Sequence, residues 1–241
     1  MISYIASKDN KKVAHAYKLK NKSVIKEFHK FLVEGIKSIE LALKAGLVKE
    51  IFSLSPLDID EKINQYIVND LIIKKLSNSV NPEGVIAVCQ TLEKIKPSKM
   101  EKVVYLDNIS DPGNMGTLIR TALAFNYDAI IVSKDSVDIY NSKVVAASKG
   151  AIFLLPILIG DLKDYHKDKV VITSTLNNES VPLSEVKNDK PFILVLGNEA
   201  HGVREEIVKQ SDILVKIPMD NIDSLNVSIA GGILMYELGK E

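Results

Sequence analysis

The stretch VVYLDNISDPGNMGTLIRTALAFNYDAIIVS, residues 103–133, decides the fold class. It opens with a β-branched apolar run over 103–109, continues through a turn into an amphipathic helical pattern, and closes with a second apolar run over 129–133. Continuous apolar runs are typical of strands buried on both faces, and two such strands joined by a helix run parallel. The stretch therefore predicts a strand–helix–strand unit of a parallel sheet.

The same alternation continues to the end of the chain. Further strands are predicted over 154–159, 169–176, 191–198 and 213–219, and helices over 142–153, 203–211 and 224–240. Strands that alternate with helices predict the α/β class, with a parallel sheet covered on both faces.

The first ninety residues mix helical and strand patterns. Apolar spacing predicts helices over 28–46, ending at Gly46, and over 57–70, with strands over 48–55 and 84–91. A polar, lysine-rich segment around Pro97 follows them. We therefore expect three regions, which are a smaller α/β domain over 1–92, a linker over 93–102 and a larger domain over 103–241.

Composition excludes several classes of protein. The chain has 241 residues, 46% of them hydrophobic, so a buried core is expected. A single cysteine, Cys89, excludes a disulfide framework and a zinc site built from cysteines of one chain. No apolar run has the length of a signal-peptide core or a membrane span. We expect a cytoplasmic protein with no metal and no membrane partner.

Charge is distributed unevenly along a chain whose formal net charge is +0. Residues 1–30 carry eight lysines against Asp9 and Glu27, so the remainder of the chain is acidic. Such a segment indicates either a contact with a polyanion or a solvated lysine-rich surface. Only Arg120 and Arg204 are arginines among 31 basic residues. Each indicates a need for a planar fork of donors, at a binding site or in a buried ion pair.

Three unusual loops follow predicted strands, where ligands of parallel sheets bind. They are DNISDPGNMG (107–116), LGNEAHGVREE (196–206) and IPMDNIDSLNVSIAGG (217–232). Each alone is compatible with an ordinary turn or helix cap. The paired glycines Gly231 and Gly232 weaken the last predicted helix, so we expect a close approach of another backbone there.

In this order and spacing, the three loops resemble the motifs of the SpoU/TrmH branch of SPOUT methyltransferases, which methylate the ribose 2′-hydroxyl of RNA. The resemblance covers about residues 103–240. The N-terminal stretches FLVEGIKSIELALKAG (31–46) and VNPEGVIAV (80–88) are similar to the small substrate-binding domain of that branch, whose fold resembles certain RNA-binding ribosomal proteins.

The resemblance implies a C-terminal domain with a deep trefoil knot that binds S-adenosylmethionine. It implies that Arg120 lies beside the 2′-hydroxyl, where it orients the adjacent phosphate and stabilises the developing alkoxide. Glu199 would hydrogen-bond Arg120 or Asn114. The implied catalytic residues are Asn114, Arg120, Glu199, Ser224 and Asn226. The implied cofactor-binding residues are Thr173, Gly197, Ile217, Met219 and Leu225.

The resemblance also implies partners. We expect a homodimer through the C-terminal domain, in which the last helix packs against its twin. We expect ribosomal RNA, of the large subunit, to contact Lys8, Lys11, Lys12, Lys22, Lys26 and His29. Three alternatives stay open: a transfer-RNA ribose methyltransferase, a drug-resistance methyltransferase, and an inactive relative that binds ribosomal RNA. The chain departs from the family at Ala146, where relatives often carry an arginine.

Overall fold

The computed structural model describes residues 2–92, 100–222 and 224–240. Contacts between residues divide the chain into two compact units. The first comprises Met1–Glu93 with Asp138–Leu154, and the second comprises Lys94–Val137 with Leu155–Glu241. Most of the predicted linker, residues 93–99, lies outside the described residues.

The first unit is built on a five-stranded mixed sheet. Its strands are β1 (Ile2–Ile5), β2 (Lys30–Glu34), β3 (Val48–Ser53), β4 (Asn64–Val68) and β5 (Val85–Gln90). Their order is β1-β4-β3-β5-β2, with β5 antiparallel to both of its neighbours. Its helices are α1 (Lys11–Lys18), α2 (Lys22–Phe28), α3 (Ile36–Lys44) and α4 (Asp70–Leu76). A further helix of this unit, which follows later in the chain, is described below.

The predicted helix over 28–46 is wrong in its first half. Residues Lys30–Glu34 form β2, where the buried Phe31 and Val33 alternate with half-buried neighbours as in a strand with one covered face. Gly35 has a φ of +94°, a conformation that ends the strand and lets α3 begin at the next residue. The apolar spacing over 28–46 fitted one helix because β2 and α3 follow each other with only Gly35 between them.

The predicted helix over 57–70 is also wrong. Residues Asn64–Val68 form β4, which lies between β1 and β3 and is parallel to both. The buried side chain of Gln65 bonds the backbone N–H and C=O of Leu57, at 2.7 and 3.1 Å, and so holds the preceding segment in an irregular path. Helix α4 begins only at Asp70, after the cap residue Asn69.

The second unit contains the parallel sheet, and the predicted α/β class is confirmed. Its strands are β6 (Lys102–Leu106), β7 (Ala129–Val132), β8 (Ile157–Ile159), β9 (Val170–Ser174), β10 (Val181–Pro182), β11 (Phe192–Leu196) and β12 (Ile213–Lys216). All neighbours pair in parallel, in the order β10-β12-β9-β11-β6-β7-β8. The helices of the second unit are α5 (Pro112–Ala124), α7 (Glu205–Val208) and α8 (Val227–Leu238). Helix α6 (Ser142–Ser148) lies between β7 and β8 in sequence but belongs to the first unit.

Two predicted helices of this region are shorter than expected. Helix α6 ends at Ser148 because Lys149 and Gly150 adopt positive φ angles of 50° and 87°, and a single 3₁₀ turn follows at Ala151–Phe153. Helix α7 has four residues, where the pattern predicted a helix over 203–211.

The sheet order brings the predicted motif loops together. Strands β6 and β11 are neighbours, with Leu106 opposite Leu196, so the loops that follow them lie side by side. The chain leaves β6 toward β7 and β8 on one side, and returns to β9 and β12 on the other. Such a change of direction is where parallel sheets bind ligands. None of the helices in the described ranges is long and apolar enough to cross a membrane.

Candidate active site

The first motif loop ends in a well-capped helix. Asp111 precedes α5, and its Oδ1 accepts the backbone N–H of Asn114 at 2.8 Å. Pro112 occupies the first turn, where its missing N–H costs nothing. This cap places the Asn114 side chain at the open end of α5, at the edge of the sheet.

The second motif loop is a closed five-residue turn. Asn198 and Gly202 exchange two backbone hydrogen bonds, at 3.0 and 2.9 Å, while the Asn198 side chain accepts the N–H of Ala200. A Cβ on Gly197 would lie 2.3 Å from the backbone nitrogen of Val203, so only glycine fits there. The turn holds Glu199 at a fixed point near its tip.

Side chains from three loops form one chain of hydrogen bonds. Asn226, the cap of α8, donates from Nδ2 to Oδ1 of Asn114 at 3.0 Å. Asn114 in turn donates from Nδ2 to Oε1 of Glu199 at 2.7 Å. Asn114 thus uses both ends of its amide, and the carboxylate accepts from a neutral donor. Of the five predicted catalytic residues, the structure joins these three.

Two further side chains complete this set of hydrogen bonds, and neither was among the predicted site residues. Ser110 donates from its hydroxyl to Oε2 of Glu199 at 3.3 Å. Asn198 donates from Nδ2 to the carbonyl of Asn108 at 2.8 Å and so ties the two loops together. Their position inside the quoted motifs was the only signal in the sequence, because the two contacts span 89 and 90 residues.

The other two predicted catalytic residues lie outside these bonds. Arg120 comes eight residues after Pro112, about two turns into α5, and six residues after Asn114, which is about 120° around the helix. Its exposed guanidinium has no hydrogen-bond or ion-pair partner within the described part of the chain. In a single chain, therefore, Glu199 bonds Asn114 and not Arg120. Ser224 is exposed and lines the cavity described next.

A cavity of about 550 Å³ lies beside Glu199, between the ends of β9, β11 and β12 and the start of α8. Four of the five predicted cofactor-binding residues line it: Gly197, Ile217, Met219 and Leu225. The fifth, Thr173, is fully buried and shares a 2.6 Å hydrogen bond with Ser211. Its successors Ser174 and Thr175 line the cavity instead.

The cavity wall offers unpaired backbone groups beside apolar side chains. Ile217, Met219 and Leu225 make no backbone hydrogen bond to any residue that the structure describes. Their N–H and C=O groups are therefore available to a ligand, while Leu196 and Val227 contribute apolar surface. Volumes of about 300–1,000 Å³ with apolar walls and a few polar groups are typical of small-molecule sites.

Family models match most of the chain. The model of the SpoU rRNA methylase family matches residues 101–236, which include all three motif loops and the cavity. The chain belongs to the SpoU rRNA methylase family. A second model, the MRM3-like substrate binding domain, matches residues 10–87 of the first unit.

Individual members of the SpoU family are similar to this chain over nearly its whole length. The 23S rRNA (guanosine(2553)-2′-O)-methyltransferase RlmP of Bacillus subtilis is 32% identical, with 97% of this chain and 98% of that protein covered. The 23S rRNA (guanosine-2′-O-)-methyltransferase RlmB of Haemophilus influenzae is 28% identical, with 81% and 83% covered. A crystal structure of an AdoMet-bound rRNA methyltransferase from Sinorhizobium meliloti superposes with a TM-score of 0.89, at 29% identity and 98% and 97% coverage.

The six predicted RNA-contacting residues are all exposed on the first unit of this SpoU family chain. Two of them form weak ion pairs, Lys12 with Glu50 at 4.0 Å and Lys22 with Asp138 at 3.6 Å. His29 ends α2 with a φ of 50°. Burial lowers the pKa of a neighbouring lysine, Lys20, whose ammonium donates to the carbonyl of Ser77 at 2.7 Å. In the described ranges, no group of three or more His, Cys, Asp or Glu side chains could hold a metal ion.

Proposed function

We propose that this chain transfers the methyl group of S-adenosylmethionine to the 2′-hydroxyl of a ribose in ribosomal RNA. The proposed substrate is the RNA of the large ribosomal subunit. The observation that carries the proposal is the chain of hydrogen bonds from Asn226 through Asn114 to Glu199, which borders a ligand-sized cavity. Membership of the SpoU rRNA methylase family supports the reaction type. The relatives named as 23S rRNA methyltransferases support the substrate.

The cavity residues suit the cofactor. S-Adenosylmethionine has an adenine edge and hydroxyls that need hydrogen bonds, and apolar parts that need burial. Unpaired backbone groups of Ile217, Met219 and Leu225 would bond the former, while Leu196 and Val227 would cover the latter. When bound, S-adenosylmethionine supplies a methyl group that its sulfonium already activates.

The protein must then orient a ribose oxygen and stabilise charge on it. Arg120 would do this, because its fork can bond a phosphate and the neighbouring oxygen together as negative charge develops. Asn114 would position the ribose, and its own orientation is set from both ends by Asn226 and Glu199. Ser224 lines the cavity beside Glu199, where it would contact the ribose or the cofactor.

We infer that the site is completed by a second copy of the chain. Helix α8 exposes an apolar stripe, formed by Ile229, Ile233 and Tyr236, which are 56, 37 and 52% exposed. Gly232 lies in the same stripe, and a Cβ there would meet only Thr121 at 3.9 Å. A small residue between large apolar ones suits close packing of two helices. Arg120 of each chain would then be free to enter the site of its partner.

Other expectations from the family remain proposals. We propose that the C-terminal chain passes through a trefoil knot, and that the domains divide near residues 92 and 103. We propose that the first unit contacts RNA through Lys8, Lys11, Lys12, Lys22, Lys26 and His29, whose exposure supports the role. A cytoplasmic location is supported by the unpaired, buried Cys89, which fits a reducing compartment.

The experiment compares ribosomal RNA from the source organism with RNA from a strain that lacks the gene. Every 2′-O-methylated position is mapped in both strains. The proposal predicts that one or a few positions in large-subunit RNA lose the methyl group and regain it when the gene is restored. Loss of a methyl group from transfer RNA alone, with ribosomal RNA unchanged, would assign the other substrate.

A further inference from the structure

An ion pair between a buried carboxylate and a half-exposed arginine lies at the base of the two neighbouring motif loops. Asp107 follows β6 directly and is completely buried. Its Oδ2 accepts the backbone N–H of Arg204 at 2.9 Å, and its Oδ1 accepts Nε of the same side chain at 2.8 Å. Nη2 makes a third contact, with Oδ1 at 2.6 Å. One carboxylate therefore fixes both the backbone and the side chain of one arginine.

The remaining contacts of Arg204 are weaker and lie toward solvent. Nη1 lies 3.4 Å from Glu206 and 3.8 Å from the exposed Asp135. The hydrogen bond that the Arg204 guanidinium donates to Asp107 is the main cause that raises the pKa of Arg204. Burial, with the nearby Asp107, raises the pKa of Tyr105 to about 12, so its hydroxyl stays neutral beside the pair.

Stability alone does not account for this arrangement. Burial of the Asp107 carboxylate carries a desolvation cost, and solvent screens the Arg204 side chain, which is 37% exposed, so a large net stabilisation is not expected from the pair. A carboxylate that takes a fork and a backbone N–H together adds geometric precision instead. Only two arginines occur among 31 basic residues, and Arg204 is one of them.

The pair closes a ring of contacts with the candidate active site. On one side, the chain runs from Asp107 through Ser110 to Asn114. On the other side, it runs from Arg204 back through the closed turn to Glu199. The ring is completed where Asn114 and Ser110 bond the carboxylate of Glu199, at 2.7 and 3.3 Å. The separation of the two loops is thus fixed at both ends, by the ion pair and by the site itself.

We propose that Asp107 and Arg204 are positioning residues, which hold the loops of Asn114 and Glu199 at the separation that methyl transfer requires. The inference rests on the proposed function, and it assigns the pair an effect on turnover that passes through Glu199. Gly197, Asn198 and Glu199 also line the cofactor cavity, so altering the pair can weaken cofactor binding through the closed turn. The backbone groups of Ile217, Met219 and Leu225 lie on a different loop, so we expect turnover to fall more than cofactor affinity.

The test uses Arg204→Lys, which keeps the charge and loses the fork, and Asp107→Asn as a second variant. Asp128→Asn is the matched control, because Asp128, like Asp107, accepts backbone N–H groups, those of Glu101 and Lys102, but at the opposite end of β6. Turnover at saturating RNA and cofactor, cofactor affinity and thermal midpoint are measured for each. We expect turnover to fall about tenfold or more in both pair variants, with a smaller loss of cofactor affinity, and to stay at the wild-type rate in Asp128→Asn.

A double-mutant cycle with Glu199→Ala decides whether the effect passes through the site. If it does, Arg204→Lys causes no further loss of turnover in the Glu199→Ala background. Independent losses that multiply would overturn the inference, and so would pair variants that lose thermal stability while each folded molecule keeps the wild-type rate.

Amide hydrogen exchange provides a readout that does not depend on activity. The backbone amides of Asn198 and Gly202 each donate to the carbonyl of the other residue. Their hydrogens should exchange about tenfold faster or more in Arg204→Lys than in the wild type. Unchanged protection would overturn the inference even if the wild-type chain proved inactive on ribosomal RNA. A wild-type chain without activity, together with faster exchange in the variant, would instead reject the proposed function and leave the positioning intact.

Discussion

Asn114 and Glu199, 85 residues apart in sequence, are joined by a 2.7 Å hydrogen bond from an amide nitrogen to a carboxylate oxygen. The bond links the loops after β6 and β11. These strands are neighbours, and the chain adds β7 and β8 on one side of them and β9 and β12 on the other. Because the Asn114 amide donates to the Glu199 carboxylate, replacing that amide with a carboxylate would remove the donor and bring two negative charges together. This relationship makes the site open to direct tests.

The substitution Asn114→Asp would place two carboxylates in contact. Their repulsion should displace Glu199, so we expect turnover to fall about 100-fold or more. Cofactor affinity, measured by calorimetry, should change less than turnover, because Asn114 does not line the cavity, although the displaced Glu199 does. Adding Glu199→Gln to the same chain restores one donor and one acceptor, and should recover part of the rate. A double variant slower than Asn114→Asp alone would contradict this account of the pair.

The substitution Arg120→Lys tests the fork at the proposed reaction centre. A lysine keeps the positive charge but cannot bond a phosphate and a ribose oxygen in one plane. We expect turnover to be lost while cofactor binding stays near the wild-type value. Arg204→Met is not a suitable control, because that arginine holds the loops. Normal methylation by Arg120→Lys would show that a point charge is sufficient.

A heterodimer tests whether Arg120 acts in the site of its partner. One chain carries Arg120→Ala and the other Glu199→Ala, each with a different affinity tag, and the mixed dimer is purified through both tags. If the arginine acts across the interface, one site of the dimer is intact and about half of the wild-type rate remains. If it acts within its own chain, both sites lack a residue and the heterodimer is inactive.

The paired glycines of α8 separate packing within the chain from packing between chains. A Cβ on Gly231 would lie 2.5 Å from Leu118 and 2.8 Å from Leu196, so Gly231→Ala should destabilise the fold by about 1–3 kcal/mol. Gly232→Ala meets no such contact within the chain and should leave the folded monomer intact or slightly more stable.

Sedimentation of the same two variants completes this test. We expect Gly232→Ala to weaken a dimer that packs through the α8 stripe. A Gly232→Ala dimer as tight as the wild type, at all protein concentrations, would argue against that interface. The sequence predicted that another backbone lies close to these glycines. At Gly231 the close neighbours are instead two leucine side chains of the same chain.

The sequence was sufficient for the parallel sheet but not for the first unit. The apolar runs at 103–109, 129–133 and 191–198 predict strands correctly because burial on both faces leaves no polar alternation to misread. Around Phe31 and Val33, a short strand meets a helix at Gly35, and the combined pattern imitates one long helix. Periodicity cannot separate two adjoining elements that share one apolar face.

The candidate site was predictable as a set of residues but not as a geometry. The motifs indicated Asn114, Glu199 and Asn226, yet which side chain bonds which depends on strand order, and strand order is a property of the whole sheet. The pairing of Asp107 with Arg204 was not predictable for the same reason, because 97 residues separate them.

Cys89 provides a test of burial through pH. Burial raises the pKa of its thiol from 9.0 to about 12, so the folded state favours the neutral form. The resulting stabilisation is complete below pH 9 and is lost as pH rises from 9 toward 12, by at most about 1.4 kcal/mol per pH unit. Urea unfolding at pH 8 and pH 10.5 should therefore show a larger loss of stability in the wild type than in Cys89→Ala. Equal losses in the two proteins would contradict the burial of the thiol.

The most direct measurement of the central claim identifies the atom that receives the methyl group. Purified protein is incubated with isotopically labelled S-adenosylmethionine and ribosomal RNA from the strain that lacks the gene, and the RNA is then digested to nucleosides for mass spectrometry. We predict label in a 2′-O-methylated nucleoside, with loss of a methylated ribose on fragmentation, and none when Arg120→Lys replaces the wild type. Label on a base, or no transfer by a folded protein that binds the cofactor, would contradict the account.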